Sequence, residues 1–287
     1  MKLFGKGSQR KEKTESKALL FEEEEKKGNC LFVLIAAKAN PLMEAITVEI
    51  GEKITAIVSK DGDLGKFEVH GEIFVCLNDS TKGKAEILMS TNDTKGITIR
   101  PHPELNRTLW TSKKIITPKQ GGSGFPPDTK LAVLKYKYSI TDSAELPFNV
   151  VMWNSIEQKN NIITLEVDFN PDNPRFTRVD NLKLSIPLSS SKPPQITKTT
   201  NSEAEYDKNV LEWKIERLNE GNVNAILEFE TSNDVSSLFP IEITMSYPYS
   251  IMDAKVLKVQ AVDSKEPITY AEKITMTCDN YQVVYEL

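Results

Sequence analysis

From Ala45 onward the chain is built of short apolar–polar alternations broken by Gly, Pro, Asn and Asp. The clearest is KFEVHGEIFVCL. On an extended backbone Phe67, Val69, Ile73, Val75 and Leu77 share one face, and Glu68, His70 and Glu72 share the other. A period of two sustained over that length predicts a half-buried β-strand. Asp61-Gly62 separates this run from the alternation at Ile54 to Val58 and predicts the turn of a hairpin. The same texture predicts strands at Ala85 to Met89, Leu131 to Tyr138, Phe148 to Trp153, Ile162 to Phe169, Leu182 to Ile186, Asn209 to Ile215, Ala225 to Phe229, Ile241 to Tyr247 and Val256 to Val262. No long stretch carries the helical period. Pro126-Pro127 and Pro193-Pro194 interrupt helices and central strands alike. Many short strands with regular turn signals predict an all-β chain of one or two sandwiches.

Before Ala45 this pattern breaks down. MKLFGKGSQRKEKTESK is lysine-rich, lacks an apolar period and reads as a flexible arm or linker, with nucleic-acid or membrane contact as the alternative. Ala18 to Ala45 runs from the acidic stretch Glu22 to Glu25 into the apolar patch LFVLIAA, Leu31 to Ala37, and reads as a helix and a buried strand. That patch is far shorter than the roughly 20 residues of a membrane helix. The glutamates ahead of it and the lack of a small-residue cleavage site argue against a signal peptide. Residues 1–44 are therefore expected to form a partly flexible arm, and residues 45–287 the folded body.

Composition narrows the classes of function. Lys and Arg total 36 against 41 Asp and Glu, a net charge of -5 over 287 residues. A body that grips phosphate backbones carries the opposite balance, so nucleic acid is not an expected partner. Three cysteines are too few for a secreted disulfide scaffold and fit a reducing cytosol. In that setting the glycosylation-type tripeptides starting at Asn78, Asn92 and Asn106 are chance matches.

The search for catalytic or metal chemistry finds little. His70 and His102 have no motif neighbour, so neither makes a general base for a Ser or Cys nucleophile. Gly122-Ser123-Gly124 has Phe125 where a nucleophile elbow needs its final Gly, and it reads as a loop. Cys30, Cys76 and Cys278 are too far apart for a zinc knuckle, and Asp61-Gly62-Asp63 lacks the distal ligands of a calcium loop. No GxGxxG or Walker-type loop is present. Two carboxylates converging in a cleft would make a hydrolase, the rival from another class, but scattered acidic residues read as solvated surface. Neither a catalytic residue nor a metal or cofactor is expected. Trp110, Trp153 and Trp213 read first as packing residues, with one facing a ligand as the alternative. Long sheet edges without catalytic clusters suit peptide binding by strand addition or side-chain pockets.

The order of several segments carries a family resemblance. SKDGDLGKFEVHG (59–71), RPHPELNRTLW (100–110), FPPDTKLAVLKYKY (125–138), LPFNVVMW (146–153), LSIPL (184–188), VLEWKI (210–215) and FPIEITM (239–245) resemble the mu-homology domain. This is the cargo-adaptor module of clathrin adaptor medium chains and of the coatomer delta subunit. HPELNRTLW, the Phe-Pro followed by VLKY, and PFNVVMW are most similar to the coatomer delta type, C-terminal part. The resemblance implies two elongated β-sandwich subdomains with the second inserted into the first. The first would span about 45–145 plus 241–287, and the inserted one about 146–240. It also implies that a longin domain precedes this module in such subunits, with MKLFGKGSQRK resembling the basic linker between the halves.

Two kinds of ligand follow from the resemblance. Clathrin-adaptor medium chains hold Tyr-x-x-Φ signals against two edge strands, one bearing Phe-x-Asp and the other Trp-x-Arg. Alignment puts Thr47 and Glu49 at the first pair and Ala271 and Lys273 at the second. Thr and Ala cannot wall a slot for a Tyr ring, although Glu49 retains a hydroxyl acceptor. The coatomer delta relatives bind tryptophan-based motifs in acidic segments of tethering and Arf-GAP proteins. The strand PPQITK after LSIPL resembles the segment associated with that site, which makes Ile196 a pocket wall and Lys198 a nearby cation for an acidic peptide. The ordinary alternative is that Ile196 is core and Lys198 a solvated neighbour. The expected function is thus a non-enzymatic adaptor of the COPI coat in retrograde Golgi-to-ER transport. Such an adaptor would be cytoplasmic and peripheral on Golgi and vesicle membranes, in contact with other coatomer subunits. A medium chain reading another sorting signal is the alternative within the binding class.

Overall fold

The structure is a computed structural model and describes residues 34–36, 44–91, 94–157, 160–189 and 192–287. Its strands are β1 (Leu34–Ala36), β2 (Ile46–Ser59), β3 (Leu64–Leu77), β4 (Ala85–Ser90), β5 (Ile97–Pro101), β6 (Ile115–Ile116), β7 (Thr129–Ile140), β8 (Phe148–Glu157) and β9 (Asn160–Phe169). They continue with β10 (Arg178–Pro187), β11 (Gln195–Thr200), β12 (Glu203–Asp207), β13 (Val210–Asn219), β14 (Asn224–Thr231), β15 (Ile241–Ser246), β16 (Lys255–Ala261) and β17 (Tyr270–Val284). Among the described residues the one α-helix is α1 (Arg107–Lys113). Every strand segment expected from Ile54 onward falls within or against one of these strands. Most of the stretch from Ala18 to Ala45 lies outside the described residues; within it, β1 pairs with Thr129 to Leu131 of β7.

The fold is all-β, and the described residues form three sheets. The largest runs in the order β1-β7-β3-β2-β17-β15-β10-β13-β12, with β5 also on β7. A four-stranded sheet runs β11-β14-β9-β8, and a three-stranded sheet β16-β4-β6. The four-stranded sheet comes entirely from the stretch between Phe148 and Thr231, whereas the three-stranded sheet joins segments from both ends of the chain. β17 lies parallel to β2 from Tyr270 on Ile46 to Val284 on Ser59, so the C-terminal strand closes onto the first long one.

The β2–β3 hairpin shows how sequence makes this frame. Gly62 takes φ +88° at the turn, and the Ser59 hydroxyl accepts the Asp63 backbone N–H at 3.0 Å. Beyond the turn Phe67, Val69, Ile73, Val75 and Leu77 are all buried, as their period requires. Gly71 shares that inward face because the Tyr136 ring lies over it; a Cβ there would stand 1.9 Å from a ring carbon.

Glu52, opposite Gly71 on β2, is a buried carboxylate without a basic partner among the described residues. It accepts from the Tyr136 hydroxyl, from Ser250 Oγ at 2.7 Å, from the Tyr247 hydroxyl at 3.1 Å and from the Ile251 N–H at 3.1 Å. Burial pushes its pKa up, against the pull of these donors. The network ties the segment after β15 to the middle of the large sheet.

Candidate peptide-binding site

Ile196 and Lys198 lie on β11, the exposed edge strand of the four-stranded sheet. Residues two apart on a regular strand share a face, but here a bulge intervenes. Ile196 pairs with Phe229 and Lys198 with Glu228, which are successive residues of β14 and face opposite ways. Ile196 thus stands on the side of buried Phe229, 38% exposed. Lys198 stands on the outer side with Glu228, whose Oε1 accepts the Thr197 hydroxyl at 2.7 Å. The edge offers Ile196 as an open apolar contact and does not bring Lys198 into the same slot.

The four positions aligned with a Tyr signal do meet. Thr47 pairs with Ala271 and Glu49 with Lys273 in the β2–β17 ladder. The expectation that both strands are edges needs correction, because β2 is interior, flanked by β3 and β17 over nearly its whole length. Its alternate residues Ile46, Val48 and Ile50 are buried, so pairing on both sides leaves no backbone group unmet in the core. On the outer face Glu49 sits beside Phe74 of β3. Lys130 reaches over from β7, forms an ion pair with the Glu49 carboxylate and places its ammonium 4.4 Å from the Phe74 ring centroid. The hydroxyl acceptor is therefore already engaged by a cation of the same chain, and a lysine covers the one aromatic ring beside it.

A third surface was not legible in the sequence. On the outer face of the three-stranded sheet, Glu86, Leu88, Ile115, Lys258 and Gln260 line a recess of about 160 Å³. That is comparable with cavities that hold one benzene-sized ring. Leu88 pairs with Ile115 on one side and Lys258 on the other, giving an apolar floor with a cationic wall. A bulge between Val256 and Lys258 makes this possible: Val256 is buried with Met89, and the extra residue Leu257 turns Lys258 outward, itself remaining 58% exposed. Glu86 does not oppose an acidic ligand freely, since Lys265 Nζ and Gln260 Nε2 both lie 2.9 Å from its Oε2. Burial pushes that carboxyl up, but these partners and nearby Lys113 outweigh it and hold it below its ordinary range. Lys113 ends α1, where Asn106 caps the first turn through its side chain and Trp110 is buried. The RPHPELNRTLW segment thus delivers Ile115 and a basic helix end to the rim.

The other chemistry weighed in the sequence is dispersed. Among the described residues no group of three or more His, Cys, Asp or Glu is placed to hold a metal ion. Glu166 and Asp168 share the open outer face of β9 rather than a cleft. No helix among the described residues is long and apolar enough to cross a membrane.

Comparison with known proteins gives this arrangement a lineage. Residues 36–285 match the adaptor complexes medium subunit family. The chain belongs to that family. Within it, the rice (Oryza sativa subsp. japonica) coatomer subunit delta-1 is 26% identical over 256 residues, covering 87% of this chain and 48% of that protein. The chain spans about half the length of the rice delta subunits it matches. Its fold is that of the yeast delta-COP-I mu-homology domain, with TM-score 0.71 and 19% identity, over 85% of this chain and 99% of that one. The same yeast domain complexed with a Dsl1 WxWxV peptide superposes with TM-score 0.70 at 18% identity, over 85% of this chain and all of the other. This medium subunit domain therefore has the mu-homology fold.

Proposed function

We propose that this chain is the adaptor module of a COPI-type coat and binds acidic peptides carrying two tryptophans, without catalysis. The observation that carries the reading is the Leu88–Ile115 floor beside Lys258 on a chain of net charge -5. A large aromatic anchor buried on such a floor is a usual source of hot-spot energy, and a lysine at the wall favours acidic neighbours. Support also comes from the likeness to coatomer delta subunits and to a yeast domain in complex with a WxWxV peptide. The edge at Ile196 is the second place an aromatic anchor would lie, favoured by its exposed side chain on an unpaired strand edge. In this reading Lys198 is a cation near the peptide's far side rather than a slot partner.

The proposal extends to the setting. The partners would be tethering and Arf-GAP proteins with Trp motifs together with other coatomer subunits, and the location cytoplasmic, peripheral on Golgi membranes. The body would divide into a sandwich of about 45–145 plus 241–287 and an inserted one of about 146–240, where the four-stranded sheet arises. A medium chain reading a Tyr signal is the rival, disfavoured by Lys130 on Glu49 and Phe74.

Calorimetric titration separates these readings. An acidic peptide with a Trp-x-Trp core is expected to bind in the micromolar range, and a Tyr-x-x-Φ peptide not to bind. Binding of the Tyr peptide alone would overturn the coat assignment. Ile196→Ser is expected to weaken the Trp peptide if the β11 edge is used; unchanged affinity removes that edge and leaves the function standing.

A further inference from the structure

β8 is the other edge of the four-stranded sheet, and its two halves differ. Phe148, Val150 and Met152 are buried, whereas every residue from Trp153 to Glu157 is exposed. Trp153 is 51% and Ile156 73% exposed, while Trp110 and Trp213 are buried. The backbone on this edge is open as well. Met152 gives its N–H to the Lys60 carbonyl at 2.8 Å, away from β9. Backbone groups of alternate residues point the same way, so those of Asn154 and Ile156 face the same side. The turn after β2 covers the edge at Met152 and stops there.

The outer face beside this edge is acidic. Register across β8, β9, β14 and β11 puts Trp153, Thr164, Glu228 and Lys198 in one row, with Val151, Glu166 and Ile226 in the next. Glu157, Glu166, Asp168, Glu228 and Glu230 share this face, against Lys198 among the described residues. Burial first, and the Glu166 charge second, raise the Asp168 carboxyl. Two of these groups are engaged: Glu230 by the Asn160 amide at 2.6 Å and Glu228 by Thr197. On this outer side Glu166 lies in the row next to Trp153, whereas Glu157 stands two rows away, towards the tip of the hairpin.

We propose that Asn154 to Glu157 is a docking edge for an extended, cationic peptide segment that adds a fifth strand to this sheet. Its backbone pairs with Asn154 and Ile156, an apolar side chain covers Ile156 on the inner side, and an Arg on the outer side lies over Trp153 beside Glu166. Each part has a physical basis. An unpaired edge supplies main-chain affinity and alternate side chains supply selectivity. A guanidinium over an exposed indole gains from the ring quadrupole, and the Glu166 carboxylate adds to it. The surface lies on a different sheet from the Leu88 recess and would be used independently of it.

The test uses the whole chain and two probes, an acetylated Arg-Val-Arg-Val-Arg-Val amide and its Glu-Val counterpart. Trp153 is the solvent-exposed indole, so its emission reports occupancy of the edge directly. The Arg peptide is expected to bind, with affinity falling at least fivefold between low and high salt, and the Glu peptide not to bind. Trp153→Ala and Ile156→Ser are each expected to weaken the Arg peptide at least fivefold, measured by calorimetry. Both side chains are exposed, so neither change threatens the fold. Asn154→Pro removes one edge N–H and is expected to abolish binding with an unchanged unfolding midpoint. Equal binding of both peptides, no binding at millimolar concentration, or wild-type affinity in Ile156→Ser would each overturn the proposal. So would a dimer in sedimentation velocity that Ile156→Ser dissolves, because the edge would then belong to a second copy.

Discussion

On the outward face of β2, β3, β7 and β17, Lys130 lies over Phe74 and is paired with Glu49. On the outward face of β4, β6 and β16, Lys258 lies beside Leu88 and Ile115 with no carboxylate partner among the described residues. The ingredients match: a lysine, an apolar side chain and a sheet surface. In the first case the charge is satisfied within the chain and the ring is covered. In the second the nearby acid, Glu86, is taken by Lys265 and Gln260, which leaves Lys258 for a ligand. A binding surface is thus defined by which charges remain uncompensated, more than by which strands carry them.

The largest expected effect removes the frame of the first face alone. Gly71→Ala would put a Cβ 1.9 Å from the Tyr136 ring, displacing the hydroxyl that Glu52 accepts. Overpacking and a weakened buried network together predict a loss of about 3 kcal/mol. Urea midpoints read this directly. If the two faces are independent, the folded fraction keeps its affinity for the Trp peptide.

The second test acts on the open face. Leu88→Asp is expected to weaken an acidic two-Trp peptide by about 2 kcal/mol or more, as loss of a hot-spot floor does. Lys258→Glu is expected to cost about tenfold at low salt and less at high salt, because the interaction is exposed and screened. Calorimetry at two ionic strengths measures both. Full affinity in Leu88→Asp would remove the recess from the proposal.

The third test uses acidity, because the β2–β3 pair holds two glutamates with opposite behaviour. Glu52 faces inward and burial raises its pKa above the unfolded value. Such a group favours the fold below its unfolded value, and that contribution is lost as pH rises through the folded one. Glu68 faces outward; burial raises it, but Lys137, His70 and Lys66 outweigh that and hold it at about 2. Its contribution is present above the ordinary carboxylate value and is lost as pH falls towards 2. Taking the pH from neutral to about 5 should therefore raise the Glu52 contribution and leave that of Glu68 in place. Glu52→Gln should flatten this part of the urea-midpoint profile, and an unchanged slope would contradict the assignment.

These contrasts mark what the sequence could reveal. Strands with uninterrupted alternation, such as Phe67 to Leu77, were legible because one face is core and the other solvent. β17 was not, although it is the longest strand. Its inward residues are Ile274, Met276 and Cys278 before a bulge and Tyr281 and Val283 after it, so the phase of the pattern reverses midway. Bulges hid the surfaces in the same way. One separates Ile196 from Lys198, which share a face in a regular strand, and another turns Lys258 onto Leu88. Cross-strand placement of Lys130, Glu49 and Phe74 depends on register among β7, β2 and β3, which period alone does not fix. The helix after His102 was masked by its brevity, its Asn106 cap being the one local signal.

The smallest expected effect probes the closed face itself. Lys130→Ala frees the Glu49 carboxylate and uncovers Phe74 while leaving both backbones paired. The ion pair is partly exposed, with side chains 27% and 23% accessible, so its removal should cost no more than about 1 kcal/mol. Affinity for the acidic Trp peptide should stay within twofold of wild type, because that peptide gains nothing from an uncovered acid. A Tyr-x-x-Φ peptide should gain at most weak binding, since Thr47 and Ala271 still offer no aromatic wall to the ring. A rise of tenfold or more in Tyr-peptide affinity would show that Lys130 alone closes the face, and that satisfied charge rather than missing apolar walls separates the two surfaces.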